Sequence, residues 1–134
     1  VWDGCLASST DDFRDWHMRT GSALFPWSAQ ARGFFLDWEN RPLAVARHGA
    51  DPTLDEMHRV WGSPENFERR ARAIELARRK NTSALHIALA YVLHHPFPTA
   101  ALIGPRTPMQ LADSVAACNI VLSDDEVTWL DLRS

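Results

Sequence analysis

The sequence predicts an α/β chain rich in helix. Two short apolar runs, residues 22–27 and 99–103, have the length and the flanking turn residues of buried strands, and segments with helical spacing of apolar residues lie before, between and after them. At 134 residues and 46% hydrophobic content the chain is of single-domain size and can bury one core, so residues 1–134 are read as one unit.

Residues 1–10, with Gly4 and the cluster Ser8-Ser9-Thr10, suggest an irregular connection, after which Asp11-Asp12 favours the start of a helix ending near Arg19, before Gly21. The first strand candidate, residues 22–27, is bounded by Gly21 and Ser28, and Pro26 confines it to an end or edge position. Residues 36–60 show no sustained periodicity and carry Pro42, Gly49 and Pro52. They read as a long loop with at most a short helix over 54–60, and loops of that length tend to be functional or disordered.

Ser63-Pro64-Glu65-Asn66 supplies an N-cap, a first-turn proline and an acidic residue for a helix with apolar positions Phe67, Ala71, Ile74 and Ala77, closed by Arg78-Arg79-Lys80. A helix over 83–93 is apolar almost all round, as expected of an enclosed element, and His94-His95-Pro96 stops it. After the second strand candidate, Gly104-Pro105 turns the chain into Thr107-Pro108-Met109-Gln110. This is a capping box, in which the Gln110 side chain reaches back to residue 107, and it opens a helix to about Ala117. A second box, Ser123-Asp124-Asp125-Glu126, starts a terminal helix with Val127 and Leu130 inward.

Composition excludes some partners. A net charge of -3 leaves no basic face to attract nucleic acid or an acidic membrane surface. No apolar run approaches the ~20 residues that span a bilayer, and residues 1–10 have neither a basic region nor a signal-like apolar stretch, so a cytoplasmic location is expected. Cys5 and Cys118 lack CxxC spacing, which argues against a disulfide framework or zinc site and for reduced, buried thiols. The chain opens at Val1 inside a Trp/Gly/Cys segment that reads as interior sequence, so a larger parent chain is expected.

The stretch from Thr99 to Ala117 carries the most chemistry. A strand, a glycine turn and a capped helix present backbone N–H groups and the positive end of a helix dipole, where phosphate binds readily, and Arg106 adds a charged fork. The plain alternative is a capped helix with a surface arginine. Trp27-Ser28, at the end of the other strand candidate, can offer a flat face to an aromatic ring and a hydroxyl to a phosphate or carboxamide, or Trp27 can be a core residue.

Taken together, Leu24-Phe25-Pro26-Trp27-Ser28-Ala29-Gln30-Ala31-Arg32-Gly33-Phe34-Phe35 resembles the seventh-strand motif of the aldo-keto reductases. Ile87-Ala88-Leu89-Ala90-Tyr91-Val92-Leu93 is similar to that family's seventh barrel helix, and Leu102-Ile103-Gly104-Pro105-Arg106-Thr107-Pro108-Met109-Gln110-Leu111-Ala112-Asp113-Ser114 to its eighth strand and cofactor loop. The ending from Leu122 to Leu132 also matches, and Trp2-Asp3-Gly4-Cys5 is similar to a group of bacterial and fungal members.

The resemblance implies a partial (β/α)8 TIM barrel carrying the last two strands with their helices, and NADP(H) as cofactor. Trp27 would stack on the nicotinamide, and Ser28 with the backbone around Gln30 and Arg32 would contact the pyrophosphate. Gly104, Arg106, Gln110, Asp113 and Ser114 would surround the adenosine and its 2'-phosphate. Gln30 stands where leucine is usual, Arg106 where serine is common, and Asp113-Ser114 where Glu-Asn is typical. The family's catalytic Asp, Tyr, Lys and His lie on earlier strands and match no residue here, and Tyr91 sits within the helix motif.

The six histidines, at 17, 48, 58, 86, 94 and 95, show no HExxH or His-x-His spacing, and no GxSxG elbow occurs. His86 reads as a core or helix-surface residue, and Arg69-Arg70, Arg72 and Arg78-Arg79 as a solvated face. Two functional classes follow. One is the cofactor-binding C-terminal part of an oxidoreductase whose parent transfers hydride to an aldehyde or ketone. The other is a non-catalytic barrel piece that acts by self-association, or with a complementary barrel fragment, through exposed sheet edges.

Overall fold

A computed structural model describes residues 10–35 and 60–133. The expectations for residues 1–9, including Cys5, and for the long loop before residue 60 lie outside the described residues. Five α-helices lie wholly within the described residues: α1 (Asp11–Thr20), α2 (Pro64–Arg79), α3 (Ala84–Leu93), α4 (Pro108–Ala116) and α5 (Asp124–Leu130). Short 3-10 turns at Ala31–Gly33 and Ala117–Asn119 follow the first strand candidate and α4.

Local chemistry sets the helix ends. Ser63, Ser83, Thr107 and Ser123 each accept a backbone N–H three residues ahead, at Asn66, His86, Gln110 and Glu126. Helix α1 stops at Gly21, which adopts φ +67 and donates to His17 O. Helix α2 stops at Asn81 (φ +51), with Thr82 N–H bonded to Ala77 O and Asn81 N–H to Arg78 O, so the last carbonyls are satisfied.

The core forms where α3 crosses α2 and meets α5. Ala73, Leu76 and Ala77 of α2 pack with Ile87 and Ala90 of α3 and with Leu122 and Leu130, flanked by Phe35, Ile120, Val127 and Trp129. Four consecutive α3 residues, Ile87 to Ala90, are buried, so this helix is enclosed all round as its composition predicts. Of the α2 stripe, Ala77 is buried and Ile74 half-buried, but Phe67 and Ala71 are exposed, and Ala73 and Leu76 complete the buried face. Phe67 packs its ring near Phe34, 5.6 Å between centroids, at the rim of the core.

The arginines of α2 do more than face solvent. Arg70 Nε donates to Phe34 O at 2.9 Å, and Arg72 Nη1 to Trp129 O at 2.6 Å. Arg72 and Arg79 stand 5.3 and 4.7 Å from the Trp129 ring centroid, as cation–π pairs that seat α5 on α2. Cys118 is likewise exposed rather than buried. Tyr91 donates to Asp131 and accepts from Arg14 at 3.2 Å, tying α3 to the chain end and to α1. Burial and then the Asp131 contact push the tyrosine pKa up, so it stays protonated as a structural donor.

The two strand candidates are extended and run parallel. Leu24 N–H donates to Pro98 O (2.8 Å), Leu24 O accepts from Ala100 N–H (2.9 Å), and Pro26 O accepts from Leu102 N–H (3.0 Å). The pairing is reduced to a single bridge, Leu24 with Thr99, rather than two full strands. The cause is proline: the next parallel rung needs a donor at residue 26, and Pro26 has no N–H. Side chains still alternate, with Ala23, Phe25, Trp27, Ala100, Leu102 and Gly104 on the exposed side.

No helix among the described residues is long and apolar enough to cross a membrane. The α5 start gives a pH test. Ser123 N–H donates to Glu126 Oε2 at 2.9 Å, and Lys80 Nζ lies 2.9 Å from Glu126 Oε1. Burial acts to raise the Glu126 pKa, but the Ser123 amide and Lys80 outweigh it and hold the carboxyl below its usual value. A carboxylate depressed on folding adds stability above its unfolded pKa of about 4.3 and loses it as pH falls through the lower folded value. Denaturant titrations across pH should show Glu126→Gln less stable than the parent at neutral pH, with the gap closing in acid.

Candidate functional site

The parallel pairing fixes where the two loops begin. Pro26 is level with Ala101 in this register, so Trp27 leaves the pair beside Leu102 and on the same face as Leu102 and Gly104. Arg106 follows Leu102 by four residues, a reach of at most about 14 Å along the chain. Trp27 and Arg106 therefore extend from the same end of the paired segments.

Trp27 is 64% exposed, which removes the core reading and leaves an indole face open. The loop after it is held in an unusual conformation. Ser28 (φ +55) and Ala31 (φ +46) are both left-handed without being glycine, and each such residue costs on the order of 1–3 kcal/mol. Ala31 N–H donates to Ser28 O at 2.7 Å and Gly33 N–H to Gln30 O at 3.0 Å, closing the 3-10 turn in which Arg32 lies.

At the second loop, Gly104 is exposed, and a side chain there would meet nothing within 4 Å. Packing does not demand glycine at this position; its absence of side chain leaves the turn backbone bare. The cap of α4 differs by one residue from the expected box. Thr107 Oγ1 accepts from Gln110 N–H at 3.2 Å, but Gln110 Oε1 accepts from Arg106 N–H at 2.7 Å instead of residue 107. Thr107 is extended (φ -135, ψ 154), and the Gln110 side chain passes it to reach the amide one residue earlier. Gln110 thereby holds the backbone of Arg106, whose side chain is exposed.

Further along α4 the polar groups are engaged within the chain. Asp113 Oδ1 lies 2.9 Å from His86 Nε2, and His86 Nδ1 lies 2.8 Å from Thr82 Oγ1. Ser114 is buried and its Oγ accepts from Gln30 Nε2 at 3.1 Å, across 84 residues of sequence. Sequence reasoning missed His86 as Asp113's partner, a contact between residues 27 positions apart.

This donor set fits a phosphorylated dinucleotide in part. Trp27 presents an exposed indole, the turn at Gly104 is bare and Arg106 is exposed, chemistry that suits ring stacking, close backbone approach and phosphate pairing; Gln30 is bonded to Ser114 and Asp113 to His86. Among the described residues no three His, Cys, Asp or Glu side chains converge as metal ligands.

Two parallel extended segments whose carboxyl ends each lead into a loop form the arrangement at which parallel α/β folds place their ligands. Comparison with known proteins makes the class specific. Residues 12–132 match the Aldo/keto reductase family, and the chain belongs to it. That family implies a (β/α)8 barrel; the described residues are dominated by helix, with one parallel bridge between the two extended segments.

The chain is 34% identical over 131 residues to norsolorinic acid reductase stcV of Emericella nidulans, covering 95% of the chain and 31% of that relative. It is 32% identical over 111 residues to norsolorinic acid reductase of Aspergillus flavus (83% of the chain, 26% of the relative). Versiconal hemiacetal acetate reductase of Aspergillus parasiticus is 29% identical over 115 residues (84% and 32%). The chain thus spans between 26% and 32% of the length of these relatives.

The α4 cap is directly testable. Thr107→Ala removes the acceptor for Gln110 N–H and should lower unfolding free energy by about 1 kcal/mol, read as a lower urea midpoint.

Proposed function

We propose that this chain is the cofactor-binding C-terminal part of an NADP(H)-dependent aldo-keto reductase, in which the complete barrel reduces an aldehyde or ketone. The observation that carries this is the parallel pairing that sends Trp27 and Arg106 out of one end of the same two segments. In this reading Trp27 stacks on the nicotinamide, and Ser28 with the turn around Gln30 and Arg32 approaches the pyrophosphate. Gly104 lets the backbone close on the ligand. Arg106, its backbone fixed by Gln110, offers a planar fork to the 2'-phosphate.

Bound NADPH supplies the hydride. The residues of this chain bind and orient it, and none of them corresponds to the family's proton-transfer Asp, Tyr, Lys or His. The names of the relatives, reductases of norsolorinic acid and of versiconal hemiacetal acetate, favour a carbonyl-type substrate for the complete enzyme.

A second reading has its own support. Phe25, Trp27 and Leu102 are 61%, 64% and 51% exposed on one face, which suits a chain that buries this face against another copy or a complementary barrel piece. A fluorescence titration separates the two. The cofactor reading expects enhanced NADPH emission on binding, with Arg106→Ala weakening NADPH about tenfold, the loss of one charge-assisted hydrogen bond, and leaving NADH unchanged. No binding, together with a compact oligomer by size exclusion, would favour association alone.

A further inference from the structure

We infer that Gln30 and Ser114 are positioning residues that couple the two ends of the dinucleotide site, an inference that rests on the cofactor reading above. Gln30 belongs to the loop that carries Trp27 and Ser28. Ser114 belongs to α4, whose first turn carries Gln110 and holds Arg106. Their hydrogen bond, 3.1 Å from Gln30 Nε2 to Ser114 Oγ, is a side-chain tie between those two units.

The tie is built to hold a fixed geometry. Ser114 is only 5% exposed, so its hydroxyl does not exchange freely between Gln30 and water, and losing Gln30 leaves a buried acceptor unmet. The preceding residue, Asp113, is gripped from another direction. A carboxylate only accepts, so His86 donates from Nε2 to Asp113, and its Nδ1 is bonded to the Thr82 hydroxyl on the other side of the ring. Adjacent helix residues point about 100° apart. Contacts at Asp113 toward α3 and at Ser114 toward the Trp27 loop therefore fix both the rotation and the axial position of α4.

The two sequence departures explain each other. Leucine at position 30 could not donate, and the short serine at 114 lets the glutamine amide reach the helix. With both present, the strained turn at Ser28 and Ala31 and the capped turn at Arg106 move as one body. Ligand contacts at one end then favour the geometry at the other, which is coupling without a shared ligand atom.

Affinities for NADPH and for adenosine 2',5'-bisphosphate, which engages only the Arg106 end, test this on the parent chain and on Gln30→Leu, Ser114→Ala and the double variant. Each single variant should weaken NADPH roughly fivefold, the double variant no further, and the half-ligand should change less than about twofold. Urea midpoints measured alongside report folding. Additive losses in NADPH affinity, equal losses for both ligands, or coupling seen only in the midpoints would overturn the positioning role while leaving the cofactor reading intact. A parent chain that binds neither ligand would overturn both.

Discussion

The parallel hydrogen bonds between residues 24–26 and 98–102 set the direction in which both loops leave the core. They are few because Pro26 and Pro98 cannot donate, yet they are placed so that the segments share register at the end where Trp27 and Gly104 emerge. Shifting that register by one residue would turn Trp27 to the opposite face, since strand side chains alternate. Every contact attributed to the site depends on this alignment.

Helix α1 reaches both segments where they begin: His17 Nδ1 lies 2.7 Å from Ser22 O, and its ring stacks on Phe97 at 4.9 Å between centroids. Helix α3 packs against α2, against the segment after α4 and with Leu122 and Leu130 in one buried cluster. The polar contacts are then added at its rim: His86 to Asp113 near one end, Tyr91 to Asp131 and Arg14 near the other. The arginines of α2 serve the same purpose by seating α5 and the Phe34 carbonyl. The elements around the two loops are thus fixed by buried apolar area and by satisfied caps.

Helix positions were legible in the sequence because caps act locally: Ser63, Ser83, Thr107 and Ser123 each sit three residues before the amide they receive. The family was legible from motifs that follow one another in order. The strands were less so, because an apolar run states burial but not how many rungs its prolines permit. The buried face of α2 was legible only in part, at Ile74 and Ala77, since periodicity fixes a helix but several stripes fit the same spacing. Gln30 with Ser114 and His86 with Asp113 join residues 84 and 27 positions apart, and no local pattern encodes such pairs.

The central claim is that an indole and a guanidinium from two loops address one ligand. Proton–nitrogen NMR of the chain titrated with NADPH observes both groups at once, through the indole N–H of Trp27 and the Nε–H of Arg106. The account predicts that both resonances move along one saturation curve, with adenosine 2',5'-bisphosphate moving only that of Arg106. A response at one of them alone, or two curves with different midpoints, would contradict it.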